Sequence, residues 1–334
     1  MTYKFNKILI TGGSGTIGIP TSNELISRGI DVIVFDLNEQ LERHESFLDP
    51  KVEKFSGSIL DSASLRDALN GCDGVIHLAA HLGVQRTERN RLRCLDINIA
   101  GTQGVLDACA MNGNVKKIIY ASSSEVYGEP LENPITENAI TQGKTVYAVS
   151  KLAGEELVKA YNSEFPDMAY SILRYFNAYG PHQVSQFVIS RFIHRVVMGK
   201  PPIIFGDGSQ KRSYNFSSDT ARGTVDSLLS KETNSKILNI GNSDEPISLI
   251  DLGNKIIKIA GKEDSLEIEV KNSFEETDRD SKREIFQRYC NTDLAKSIIG
   301  YRSEVSLDEG IKKIIDIGAF EDTWASSEKN YIID

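Results

Sequence analysis

The sequence predicts a doubly wound α/β fold, a parallel sheet with helices on both faces, followed by a smaller C-terminal α/β lobe. Three observations carry this reading. Short Ile- and Val-rich runs alternate with stretches of helical spacing through the first half of the chain. The first of these runs leads into a glycine-rich turn that opens a helix. After about residue 178 the alternation gives way to sequence punctuated by Gly and Pro.

Taken in order, KILIT (7–11), DVIVFD (31–36), GVIHLAA (74–80), KKIIYASS (116–123) and YSILRYF (170–176) read as buried strands. Each is short, near-continuously apolar and bounded by Gly, Asp or Ser, as strands covered on both faces are. Between them, residues 17–29, 62–70, 92–112 and 147–164 carry helical spacing. In the second half, Gly180-Pro181, Pro201-Pro202 and Gly206–Gly208 flank an apolar helix near 187–199. A strand ILNIG (237–241) and a helix over 248–260 follow, then a charged stretch without periodicity, EIEVKNSFEETDRDSKREIFQRY.

Composition narrows the function classes. The chain has 334 residues, a net charge of -9 and a pI near 5.3, which argues against nucleic acid or an anionic membrane as the main partner. No apolar run is long enough to span a bilayer, and MTYKFNKILITGG lacks the features of a secretion signal. Cys72, Cys94, Cys109 and Cys290 lie far apart, with no CxxC pair and no His at metal-ligand spacing. Buried thiols in a cytoplasmic protein without a bound metal are the expectation.

The glycine turn places Gly12, Gly15 and Gly18 at G-x-x-G-x-x-G spacing, with Thr16 and Ile17 opening the helix. Backbone N–H groups in such a turn approach a pyrophosphate where the helix dipole favours negative charge. The next strand ends in Asp36, whose carboxylate can accept from both hydroxyls of a ribose and would repel a 2′-phosphate. A dinucleotide site with NAD rather than NADP is therefore expected; the plain alternative is that Asp36 caps a turn. Further on, Tyr147 and Lys151 stand four residues apart, on one helical face. A phenol needs its pKa lowered to act as a base near neutrality, and a lysine ammonium one turn away, with a positive nicotinamide ring, does that. The strand ending in Ser122, Ser123 and Ser124 brings hydroxyls to the carboxyl edge of the sheet, where ligands bind.

TGGSGTIG, HLAA (77–80), ASSSEVYG (121–128), YAVSK (147–151) and RYFNAYGP (174–181) together resemble the motif set of the extended short-chain dehydrogenase/reductases. Within these the chain is similar to the NAD-dependent nucleotide-sugar epimerases and dehydratases, nearly end to end, since GDGSQKRSYNFSSD (206–219) and NTDLAKSIIGY (291–301) also match. The resemblance implies a Rossmann domain over 1–179 that binds NAD, and an interleaved substrate-binding lobe over 180–334. It makes Tyr147 the base for the sugar 4-hydroxyl, Lys151 the nicotinamide-ribose ligand and Ser123 the catalytic hydroxyl. Ser58, Ile59, Leu78, Ala79, Ala80, Asn98 and Tyr175 join the cofactor site. Asn177, Phe205, Arg212 and one of Arg283 or Arg288 hold the nucleotide sugar, an arginine fork suiting a diphosphate. The resemblance also implies a homodimer through helices matching 92–112 and 147–164.

The reaction that follows C4 oxidation turns on Ser124-Glu125. A carboxylate there is suited to removing H5, with Ser124 or a water protonating the C6 leaving group, as in 4,6-dehydratases. The bland reading is that Glu125 bonds a neighbouring backbone N–H. A 4-epimerase, a glucuronate decarboxylase and a 4-dehydrogenase releasing NADH are the alternatives; a non-catalytic NAD-sensing regulator fits less well, because both Tyr147 and Lys151 are kept. Two departures from the family pattern stand out. Gly57-Ser58-Ile59 replaces Gly-Asp-Ile, so the usual acceptor for the adenine amine is missing. The segment 81–87 is unlike the usual substrate loop, and its Arg86 either meets an acidic sugar or faces water.

Overall fold

Each apolar run of the first half forms a strand in the computed structural model, which describes residues 1–184, 186–271 and 285–318. In chain order the first part comprises β1 (Lys7–Thr11), α1 (Gly18–Ser27), β2 (Asp31–Asp36), α2 (Asn38–His44), β3 (Glu53–Ser56), α3 (Ser62–Ala68), β4 (Gly74–His77), α4 (Val84–Arg89) and α5 (Arg91–Leu95). A single π turn (Asp96–Ala100) joins α5 to α6 (Gly101–Asn112). Then come β5 (Lys117–Ser123), α7 (Val146–Glu164) and β6 (Ala169–Tyr175). The second part runs through β7 (Ala178–Tyr179), α8 (Val188–Val197), β8 (Ile203–Phe205), β9 (Lys211–Arg212), β10 (Asn215–Phe216) and α9 (Ser217–Leu229). It continues with β11 (Lys236–Ile240), β12 (Ile247–Ser248), α10 (Leu249–Ile259), β13 (Glu269–Lys271), β14 (Gln287–Arg288), α11 (Asp293–Ile299) and α12 (Leu307–Ile317).

Seven strands form one parallel sheet in the order β11-β6-β5-β4-β1-β2-β3. The strand order reverses between β1 and β4, and the carboxyl ends of these two strands frame the crevice where ligands of doubly wound sheets bind. Strand periodicity sorts the core. Ile8, Ile10, Val32 and Val34 face the side covered by α1 and α9, and Leu9, Ile33 and Phe35 face the side covered by α3 and α6. Each such fully buried aliphatic side chain contributes roughly 1.5–3 kcal/mol. A third cluster, with Tyr179, Phe192, Ile204, Leu252 and Ile311, holds α8, α10 and α12 around the short strands of the second part.

The sequence pattern missed several elements. β3 is an edge strand of sequence EKFS, mostly exposed, so no apolar run marked it. The segment around Arg86 is helical rather than a loop. α9 reads as polar because its buried face is small and hydroxylic: Thr224 Oγ1 donates to the Thr220 carbonyl and Ser227 Oγ to the Gly223 carbonyl, both at 2.7 Å. It nevertheless lies against α1 and β5. β11 pairs with β6, and α9 packs on α1 and β5, so residues 217–240 return to the large sheet.

Candidate active site

The glycine turn is shaped by close approach. Gly12 has φ 70°, and a Cβ there would lie 2.7 Å from the Ala79 backbone nitrogen at the end of β4. A Cβ on Gly18 would lie 2.5 Å from Gly13 Cα, so only glycine lets α1 start this tightly against the turn. Asp36 closes the subsite: Ser14 N donates to Oδ2 (3.1 Å) and Leu37 N donates to Oδ1 (2.9 Å). Burial raises the Asp36 pKa above its ordinary value, and these N–H bonds oppose the rise. The carboxylate thus braces the turn while each oxygen keeps a lone pair. Beside it, Ser14 Oγ and His44 Nδ1 are buried and make no well-formed hydrogen bond among the described residues, with Asp36 next to the Ser14 hydroxyl and the Ser14 backbone next to the His44 ring. A tight glycine turn at the start of α1, a carboxylate at the end of the next strand and buried polar atoms without a well-formed partner among the described residues fit a dinucleotide.

Behind the cofactor line lies a fixed polar network. Thr102 Oγ1 donates to the Asn98 carbonyl (2.6 Å), so His77 Nε2–H donates to Thr102 (3.0 Å) and Nδ1 accepts from Thr11 Oγ1 (2.6 Å). Burial, with Lys151 nearby, lowers the His77 pKa to about 3, so the ring stays neutral. The π turn points Asn98 inward, where it works as a hub. Its Oδ1 accepts from His81 N (2.7 Å), and its Nδ2 donates to the His81 carbonyl (3.0 Å) and to Ser150 Oγ (2.9 Å). Asn98 therefore fixes the Leu78–Ala80 edge to the helix that carries Tyr147 and Lys151.

At the carboxyl end of β5 the chemistry-bearing residues come together. Lys151 Nζ is buried and donates to the Ala121 carbonyl (2.8 Å), 5.8 Å from the centre of the Tyr147 ring, and burial lowers its pKa to about 8. Burial, and the Glu125 charge beside it, push the Tyr147 phenol well above its ordinary value, while Ser123 and Arg288 act the other way. Ser123 Oγ accepts from Glu125 N (3.2 Å) and caps the 3-10 turn Ser124–Tyr127. Ser124 is buried in that turn. Glu125 does not bond a backbone N–H with its carboxylate. Its Oε2 accepts from Thr145 Oγ1 (3.2 Å), the N-cap of α7, and its Oε1 carries no hydrogen bond among the described residues.

The second part supplies a facing wall. Asn177 has φ 37° and donates to the Ser213 carbonyl (2.8 Å). Tyr175 is buried on the α9 side with its hydroxyl 2.8 Å from Thr224 Oγ1. Arg212 and Arg288 sit opposite each other in the parallel β9–β14 pair. Arg212 directs guanidinium donors at the Lys211 and Phe286 carbonyls (2.8 and 3.2 Å), bracing the strand that carries Arg288. Arg288 is buried with its Nε unpartnered. Phe205 pairs with Lys271 at the other edge, between β8 and β13. Ser58 is partly exposed, Ile59 is buried under Gly101, and Arg86 is exposed on α4. Arg283 lies outside the described residues.

Sequence reasoning passed over the supports. Glu155 takes two bonds from Arg174 (2.9 and 2.7 Å) and one from Ser122 (2.5 Å), a buried brace between α7 and the ends of β5 and β6. Glu155 follows Lys151 by one helical turn, which was its only signal. His44, His81 and His182 were likewise unmarked. No group of three or more His, Cys, Asp or Glu placed to hold a metal occurs among the described residues. Nor is any described helix long and apolar enough to cross a membrane.

Known proteins resemble this chain over most of its length. The sequence profile of the NAD dependent epimerase/dehydratase family matches residues 8–241. A putative UDP-glucose 4-epimerase of Methanocaldococcus jannaschii is 33% identical over 315 residues, covering 92% of this chain and 97% of its own. A UDP-N-acetyl-alpha-D-glucosaminuronate decarboxylase of Bacillus cytotoxicus is 31% identical over 319 residues, covering 92% and 96%. Among solved structures, a UDP-glucuronic acid 4-epimerase from Bacillus cereus in complex with UDP-glucuronic acid and NAD matches with a TM-score of 0.82 and 29% identity, over 95% of this chain and 100% of that one.

Proposed function

The chain belongs to the NAD-dependent epimerase/dehydratase family, and on that premise we propose that it oxidises C4 of a UDP-linked hexose and then carries out C5/C6 chemistry of the 4,6-dehydratase type. The observation that carries the second half is Glu125, beside Tyr147 with one carboxylate oxygen unbonded. Tyr147 takes the proton of the sugar 4-hydroxyl, with Ser123 sharing that hydrogen bond. Lys151 holds the nicotinamide ribose, and its charge with the positive ring of bound NAD would oppose the rise that burial and Glu125 impose on the Tyr147 phenol. NAD, when bound, supplies the acceptor for the C4 hydride and later returns it. A 4-ketone acidifies H5; Glu125 Oε1 removes it, and Ser124 or a water protonates the C6 oxygen as it leaves. Arg212 and Arg288, side by side in register, would form the diphosphate clamp, Arg212 giving up bonds it makes to the Lys211, Ile285 and Phe286 carbonyls. Asp36 selects NAD over NADP, and retention of the cofactor through the ketone stage follows from the return of the hydride. The same reading makes the protein a homodimer through α5–α6 and α7, in a reducing cytoplasm that suits its four free, buried thiols.

A second reading, 4-epimerisation without C5 chemistry, is favoured by the names of several relatives, the Methanocaldococcus protein among them. The test is incubation with UDP-, GDP-, dTDP- and CDP-sugars in deuterated water, read by NMR and mass spectrometry. The expected product is a 6-deoxy-4-keto sugar with deuterium at C5, lost in Glu125→Gln. A C4-inverted sugar free of solvent deuterium would return Glu125 to bracing the α7 cap.

A further inference from the structure

A dinucleotide running from Asp36 past Thr16 to Tyr147 passes a part of the chain that the functional reading leaves unused. Leaving β7, the backbone turns back onto the glycine turn: a Cβ at Gly180 would lie 2.2 Å from Ser217 Oγ and 3.6 Å from Thr16 Cγ2. The approach is to the start of α1, where phosphate charge is favoured. Two residues later His182 adopts φ 64°, a left-handed conformation that non-glycine residues seldom take. Its imidazole lies against Phe47, with ring centroids 3.7 Å apart, and 5.5 Å from the ring of His44. His44 and Phe47 belong to α2 and the 3-10 turn after it, on the body that carries Asp36. The 180–182 turn therefore bridges from β7, whose Tyr179 belongs to the core of the second part, to the far side of the glycine turn.

Two features make this bridge more than packing. Ser14 Oγ and His44 Nδ1, both on side chains more than nine-tenths buried, make no well-formed hydrogen bond among the described residues: the Ser14 hydroxyl has Asp36 beside it and the His44 ring has the Ser14 backbone, and Ser14 lies between Asp36 and Thr16 in the glycine turn. Buried polar atoms are costly unless a ligand or water satisfies them. Phe47, by contrast, keeps 40% of its surface exposed, so the contact with His182 can part without opening the core.

We propose that the 180–182 turn is a latch over the dinucleotide: His182 closes on Phe47 and His44 and sets the rate at which bound cofactor leaves. The proposal rests on the NAD reading of the glycine turn. Phe47, His44 and His182 are cofactor-retaining residues and take no part in proton transfer.

The experiment uses the full-length protein loaded with NADH and diluted rapidly into excess NAD, with release followed by NADH fluorescence. Phe47→Ala and His182→Ala should release NADH roughly two- to tenfold faster than wild type, the range an aromatic pair contributes, and should co-purify with less nicotinamide. His182→Phe, which keeps a ring on Phe47, should release at close to the wild-type rate. Circular dichroism melts of the same samples establish that each variant is folded. Unchanged release from both alanine variants, or release from His182→Phe as fast as from His182→Ala, would overturn the latch while leaving the cofactor reading intact. A wild-type protein that takes up no NADH at all would overturn both.

Discussion

Asp36 gives the sharpest test of the cofactor site, because its carboxylate has a structural duty that can be separated from its binding duty. In Asp36→Asn only one side-chain oxygen remains, and the amide nitrogen is set against either Ser14 N or Leu37 N, where an acceptor stood 3.1 or 2.9 Å away. One charge-assisted hydrogen bond is lost, about 1.5–3 kcal/mol, and a buried N–H loses its acceptor. The apoprotein should therefore melt several degrees lower. Binding suffers separately. A neutral acceptor replaces a charged one for the adenosine ribose, which weakens NADH by roughly ten- to a hundredfold at about 1.4 kcal/mol per decade. NADPH should weaken far less, because the repulsion of its 2′-phosphate by Asp36 disappears with the charge. Fluorescence titration of wild type and variant with NADH and NADPH, alongside scanning fluorimetry of the apoproteins, measures all three quantities. If the melting temperature falls while NADH affinity stays within threefold of wild type, Asp36 only caps the glycine turn, and the ribose assignment fails.

Two predictions concern groups away from the chemistry. Lys117 is fully buried at the start of β5 and donates to the Ser227 and Ser230 carbonyls (2.8 and 2.7 Å) and to Thr233 Oγ1 (2.7 Å), capping the carboxyl end of α9; Lys117→Met keeps the stem but strands these acceptors, so urea denaturation should show a loss of about 2–4 kcal/mol with NADH affinity unchanged, and a loss below about 0.5 kcal/mol would mean that desolvation of the ammonium cancels its bonds. Burial lowers the pKa of His77 to about 3 and of His81 and His182 to about 4, against 6.5 in the unfolded chain. The unfolded state thus binds protons first as pH drops, so stability is complete above about pH 6.5 and declines toward pH 4, by roughly 2 kcal/mol per fully buried ring at pH 5. Urea midpoints that do not move between pH 7.5 and pH 5 would show that these rings titrate alike in both states.

What the sequence could reveal depended on whether the information was local. The glycine turn, Asp36 and the Tyr147–Lys151 pair each fit within a few residues of a strand or helix end, and the apolar strands announce themselves because both faces of a parallel sheet are buried. β3 escaped because an edge strand needs no apolar run. α9 escaped because its buried hydroxyls bond back into their own helix, so burial there does not look apolar. The supports of the site were illegible for another reason: Asn98 reaches Ser150, Glu155 reaches Arg174, and Phe47 meets His182 only after the sheet has been wound. Thr145 shows the limit most clearly. Its hydroxyl accepts from Ala148 N and donates to Glu125, so the residue that fixes one oxygen of the candidate base is a helix cap that any Ser, Thr or Asp would mark equally well in sequence.

On the proposed reading, cofactor retention and the choice of reaction fall to opposite ends of this site. Bound NAD would accept the C4 hydride and with it lose its positive charge, so Glu125 and a Tyr147 phenolate would not be the groups that hold the reduced form. The groups that hold it through the ketone stage have to be indifferent to the redox state. On the proposed reading, Asp36 at the ribose, the glycine turn at the pyrophosphate and the His182–Phe47 contact would meet that requirement, since all would lie on the adenosine and diphosphate side. Glu125 and Lys151 do not. A site built this way can let the ketone persist long enough for H5 to be removed, because the lifetime of the reduced complex is set by one end of the cleft and the chemistry by the other. The two ends should then respond independently: the release rate of NADH should change in Phe47→Ala and not in Glu125→Gln, and C5 deuterium incorporation should be abolished in Glu125→Gln and persist in Phe47→Ala. Slowed exchange in Phe47→Ala with NAD saturating would show the two ends to be coupled.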